Sequence, residues 1–150
     1  MKKAIKLYLQ EGTILDVLFD DGVTKRYDIL QLSDKFPQLL ALKDRNLFLK
    51  GRLLGWGGVV WNEELDVDSE TIYEDGTNID NNDNVTAILV GYRLRELRKE
   101  SGLTQEELSR VCGVPQADIS RIEKGLSNPS LSLLQKIAKG INKQIIINFH

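Results

Sequence analysis

The chain of 150 residues has almost none of the side chains that nucleophilic, redox and metal chemistry draw on: one cysteine, Cys112, and one histidine, His150. A lone thiol cannot close an intramolecular disulfide, and a lone histidine leaves no pair for a His-based metal site or a catalytic dyad. No metal and no cofactor is expected, and the residues read as those of a non-enzyme. Long apolar runs are missing too. No stretch approaches the roughly 18 residues that a membrane span needs, and Glu11 interrupts the opening MKKAIKLYLQEG where a secretory leader would continue its apolar core. The expectation is a cytoplasmic protein without a membrane partner. What is present, 41% hydrophobic and 28% charged residues, suits one globular domain or two small ones.

An excess of positive charge is also lacking, with 20 Lys and Arg against 22 Asp and Glu and a net charge of -2. The deficit is local. Residues 1–84 hold 10 basic and 16 acidic side chains, a net of -6, whereas residues 85–150 hold 10 and 6, a net of +4. Binding a polyanion requires a local basic surface that displaces condensed counterions, so the second part can hold nucleic acid although the total is acidic. The acidic part repels the same backbone and lowers non-specific affinity. Between them lies EDGTNIDNNDN, Glu74 to Asn84, whose one sizeable apolar residue is Ile79; it reads as a linker or long exposed loop. It is not an EF-hand loop, because no register supplies both Gly at the sixth position and Glu at the twelfth.

In the first part, Ile14 to Asp20 and Val23 to Ile29 flank Asp21-Gly22, a dipeptide suited to a tight hairpin turn, and Ala4 to Leu9 reads as a third strand. Leu39, Leu40, Leu42, Leu47 and Phe48 recur at helical spacing after Pro37, which fits the first turn of a helix, so one or two short helices are expected. Leu53 to Trp61 suggests another strand or hairpin. Its Gly55-Trp56-Gly57-Gly58 lacks the spacing, the terminal Lys-Ser/Thr and the following helix of a phosphate loop, and reads as a turn with aromatic packing. Glu63, Glu64, Asp66, Asp68 and Glu70 have no second cluster to work against and read as a solvated acidic edge. From about Ile5 to Tyr73, the residues Phe19-Asp20-Asp21-Gly22, Trp61, Leu65-Asp66 and Tyr73 resemble the pattern of a bacterial domain family of unknown function. The resemblance implies a fold and no mechanism, and favours protein binding, including a toxin-like partner.

The second part reads as four helices. Val85, Leu89, Val90, Leu94 and Leu97 follow three- and four-residue spacing, with Asn84 as cap and Gly102 beyond the end. Thr104-Gln105-Glu106-Glu107 has the form of a capping box opening a helix with Leu108 and Val111 on its apolar face. Gly113 supplies a sharp turn into Gln116 to Lys124, which Gly125 ends, and Asn128-Pro129-Ser130 restarts a helix lined by Leu133, Leu134, Ile137 and Ile141. Cys112 reads as a packed thiol.

The run L-R-E-L-R-K-E-S-G-L-T-Q-E-E-L from Leu94, then G-V-P-Q-A-D-I-S-R-I-E-K-G from Gly113 and N-P-S-L from Asn128, resembles the Xre/Cro-type helix-turn-helix family over Arg93 to Ile141. That resemblance implies that the third helix enters the major groove of double-stranded DNA and that the second crosses the backbone. It makes Gln116, Ala117, Ser120 and Arg121 the base-reading candidates, since Gln suits adenine edges, Ala a thymine methyl and Arg the guanine O6 and N7. Thr104, Gln105, Lys124, Ser127 and Asn128 would hold phosphates, and Arg98 and Glu123 would form a buried ion pair. Two residues depart from the pattern. Pro115 stands where a Ser or Thr cap is usual, tolerable because the first helical turn does not use that amide, and Asp118 brings negative charge near the helix start.

After Gly140, Ile141 to His150 is β-branched and reads as a strand that must join the N-terminal sheet or pair with its mate in a second chain; a homodimer is preferred, because it also supplies two recognition helices. The expected fold class is α+β: a small N-terminal antiparallel-sheet interaction domain with short helices over residues 1–80, a linker at 81–86, and an all-α helix-turn-helix domain over 87–150 ending in a short strand. The expected function is that of a sequence-specific DNA-binding regulator, an antitoxin or operon autorepressor, against the alternative of a protein-binding adaptor that has lost DNA.

Overall fold

Gly22 sits at φ 87°, in the left-handed region open to glycine, and turns the chain between two strands, β2 (Ile14–Phe19) and β3 (Thr24–Asp28). Val23 O accepts from the Phe19 amide at 2.9 Å and closes the hairpin. Strand β1 (Ala4–Leu9) pairs antiparallel with β2. In the computed structural model, which describes residues 2–81 and 83–149, the chain divides into two compact units, Met1–Asn81 and Asn82–His150.

In the first unit, Asp28 accepts from the Leu30 amide and starts a 3-10 turn, Ile29–Leu32, and Pro37 opens a second, Pro37–Lys43. Asp44 then caps the one-turn helix α1 (Arg45–Phe48). A small sheet follows, β4 (Arg52–Leu53), β5 (Val59–Asn62) and β6 (Leu65–Val67), in that order. In the glycine-rich turn between β4 and β5 the exposed Trp56 ring lies over Gly58, where a Cβ would come within 1.9 Å of it. Glu63, Glu64, Asp66, Asp68 and Glu70 are all exposed, and Asp68 caps α2 (Ser69–Asp75).

The stretch from Glu74 to Asn84, expected as a linker or long exposed loop, is partly ordered structure. Its first residues finish α2, and Thr77–Ile79 form β7, which pairs with Thr24 to Arg26 of β3 and completes the sheet β1-β2-β3-β7. Backbone pairing gives this segment its place without an apolar pattern, which is why composition concealed it. Tyr73 ties α2 to the β2–β3 hairpin: its ring meets Phe19 edge-on at 4.8 Å and its hydroxyl donates to Asp21 at 2.7 Å, so the FDDG turn and the distant tyrosine are one contact. Burial pushes the Asp21 carboxyl up, but hydrogen bonds from Tyr73, the Val23 amide and Lys2 outweigh it and hold the group below its ordinary value.

The second unit holds α3 (Val85–Glu100), α4 (Gln105–Cys112), α5 (Gln116–Glu123) and α6 (Leu131–Gly140) around Leu94, Leu108, Cys112, Val114, Ile119, Ile122, Ile137 and Ile141. Asn84 caps α3 through the Ala87 amide, and Thr104 and Glu107 form the capping box on α4. The buried stripe of α3 differs from the one expected: Ala87, Ile88, Gly91, Leu94 and Arg98 face inward, while Val85, Leu89, Val90 and Leu97 are half-buried. Gly91 is the reason, because its missing side chain lets α5 approach the α3 backbone. On α4 the inner partner of Leu108 is Cys112, with Val111 exposed. Residues 143–149 join no sheet, so the strand expected after Gly140 has no ladder among the described residues; a strand exists only through its partner.

Candidate nucleic-acid interface

The interface begins with a left-handed glycine. Gly113, at φ 70°, ends α4 and sends the chain through Val114 and Pro115 into α5. Pro115 offers no side-chain cap, and its carbonyl accepts from the Asp118 and Ile119 amides. Ile119 and Ile122 anchor α5 in the core, so the helical period turns the opposite face outward. Gln116, Ala117 and Arg121 are exposed there and Ser120 is half-buried; Asp118 is exposed in the first turn.

Arg98, near the end of α3, and Glu123, at the end of α5, fix the angle between those helices. Arg98 Nε donates to Glu123 Oε1 at 2.6 Å and Nη2 to Oε2 at 3.1 Å, both buried, while Nη1 donates to Leu103 O at 2.8 Å. The hydrogen bond to Glu123 raises the Arg98 pKa above its ordinary value, with burial acting against it. The fork geometry makes this a bidentate pair.

Glu123 Oε2 also accepts from Gln105 Nε2 at 2.8 Å, and Gln105 Oε1 accepts from Gln116 Nε2 at 3.4 Å. A chain of polar contacts therefore runs from the buried carboxylate to the exposed start of α5. The family resemblance paired Arg98 with Glu123, but sequence reasoning did not connect Gln105 and Gln116 to them; the signal available was glutamine at the first position of both helices. The remaining candidates are placed as follows. Thr104 is exposed with its hydroxyl accepting from the Glu107 amide, Lys124 is exposed one residue beyond α5, and Ser127 is half-buried. Exposed Asn128 accepts a short hydrogen bond from Asn84 Nδ2, which ties the loop before α6 to the cap of α3.

Among the described residues, no three His, Cys, Asp or Glu side chains gather as a metal set, and no helix is long and apolar enough to cross a membrane. The helix-turn-helix family HTH_3 matches residues 94–146. An uncharacterized HTH-type transcriptional regulator of Archaeoglobus fulgidus is 49% identical over 53 residues, 35% of this chain and 76% of that protein. One from Methanothermobacter thermautotrophicus is 47% identical over 53 residues, covering 35% and 77%. The crystal structure of the restriction-modification controller protein C.AhdI from Aeromonas hydrophila is 34% identical with a TM-score of 0.39, covering 39% of this chain and 89% of that one.

Proposed function

This chain belongs to the helix-turn-helix family of transcriptional regulators, and we propose that it is a dimeric, sequence-specific repressor whose α5 reads base edges in the major groove. Members of the family regulate transcription by binding DNA and are not enzymes. The mechanism is occupancy: a bound protein excludes others from the site, and no bond is broken. The observation that carries the reading is the outward face of α5, where Gln116, Ala117 and Arg121 stand exposed on a helix held by the buried Arg98–Glu123 pair.

Roles divide by chemistry. Arg121 can bridge guanine O6 and N7, and Gln116 can pair with an adenine edge while Gln105 steadies its amide. Thr104, Gln105, Lys124, Ser127 and Asn128 flank that face and position the duplex through its phosphates, with Ser120 and Ala117 close to the bases. A twofold dimer presents two such helices to half-sites about 34 Å apart.

Arg121→Ala and Lys124→Ala test the division. On an operator duplex that the protein selects from a random pool, Arg121→Ala should cost about 1–3 kcal/mol and relax preference at one base position. Lys124→Ala should weaken operator and random DNA alike and lower the salt slope by about one. Binding isotherms on both duplexes check this; parallel losses from both variants on both duplexes would refute base reading by Arg121.

A further inference from the structure

Among the described residues, no strand is hydrogen-bonded to the outer edges of β1, β7, β4 and β6, although β1 and β4 lie near each other, and residues 143–149, strand-like in sequence, join no ladder. That segment is costly to leave in water: Ile146 is 88% and Phe149 92% exposed, and Ile145, Ile147 and Phe149 fall on one face of an extended chain. It is led in by Lys139 and Lys143, so charge discriminates among the edges. Strand β1 carries Lys6 and β4 carries Arg52, which repel it, while β7 offers the exposed polar pair Thr77 and Asn78.

Strand β6 differs in two respects. Its Asp66 and Val67 line a groove of about 510 Å³, with Leu39 contributing apolar wall and Glu64 and Asp75 adding carboxylates against the single cation Lys35. A strand laid there gains backbone hydrogen bonds from the β6 edge, an apolar surface for alternate side chains and opposite charge for its lysines. We propose that the C-terminal segment of one copy adds as a strand to β6 of a second copy, with one apolar face turned into the groove and Lys143 against its carboxylates. This rests on the dimeric reading above. It gives the acidic unit a task, which is to hold the partner chain.

Sedimentation equilibrium of the full chain tests it. The intact protein should dimerise, and the exposed pair Glu64→Lys and Asp66→Lys should weaken the dimer about tenfold, as loss of about 1.4 kcal/mol would do. Deleting residues 144–150 should abolish the dimer, and a synthetic peptide of residues 142–150 should bind the truncated chain in an anisotropy titration. Because Cys112 is buried, Asp66→Cys chains mixed with Asn148→Cys chains should give a mixed disulfide dimer on mild oxidation. An unchanged dimer after charge reversal, no peptide binding, or Asn148→Cys chains that link only to each other would overturn the proposal while leaving a dimeric regulator intact. A monomer at every concentration would instead remove the dimeric reading itself.

Discussion

Alanine at Arg98 or at Glu123 should cost about 3–5 kcal/mol of folding free energy, because either change strands a charge in a low-dielectric interior. The structure makes the loss specific. Among the described residues, Arg98 without Glu123 keeps only the Leu103 carbonyl, and the carboxylate without Arg98 keeps only the Gln105 amide. Replacing both with apolar residues, Arg98→Met with Glu123→Leu, should be far milder than the sum of the two single losses, since no unpaired charge remains. The measurement is a denaturant melt followed by two signals. Trp56 and Trp61 both lie in the first unit, whereas most of the long helices lie in the second. Far-ultraviolet circular dichroism should therefore record an earlier transition in the single variants while tryptophan fluorescence keeps its midpoint. Strict additivity in the double variant would mean that the two side chains do not act as a pair.

Gly91→Ala should destabilise the chain by about 3 kcal/mol, at the upper end of what an inserted methyl costs in a packed interior. The opposite sign is the ordinary expectation, because alanine in an exposed helix gains about 1 kcal/mol over glycine. Position 91 reverses it. A Cβ there would stand 2.1 Å from Ile122 O and 3.0 Å from Glu123 O, and a backbone carbonyl cannot rotate away as a side-chain end can. Helix α3 would have to lift off the end of α5, where Glu123 holds Arg98. Gly125 marks the same approach, since its own Cβ would meet the Ile88 Cα at 2.9 Å. The test is a thermal melt by circular dichroism, in which stabilisation by alanine would show that α3 and α5 do not approach so closely.

The helical unit was legible because its signals are local and mutually consistent: a capping box at Thr104, a left-handed glycine at 113, and apolar spacing along α6. What escaped depends on relations across the chain. The inner stripe of α3 runs through a glycine, which no hydrophobic period records, and it ends on Arg98, whose burial beside Glu123 came from the family resemblance and not from the spacing of apolar residues. Val111 reads as core by spacing alone, yet Cys112 takes that place. Strand β7 is held by backbone pairing and carries one apolar side chain, so its composition resembles a loop. For Ile145 to Phe149 the sequence indicates a strand but holds no information about its partner, which is a property of the assembly rather than of the segment. The groove beside β6 is likewise built from side chains on a 3-10 turn, a strand and a helix, and no local pattern announces it.

The central claim is that α5 reads sequence while the residues flanking it, Lys124 among them, hold phosphate. Its most direct test is the affinity of the full chain, across rising KCl, for a duplex it has selected from a random pool and for a scrambled duplex of the same length and composition. The account predicts that the selected duplex binds at least about a thousandfold more tightly, and that log affinity falls linearly with log salt with a slope of about -0.9 per phosphate contact. Equal affinity for the two duplexes at every salt concentration would contradict it.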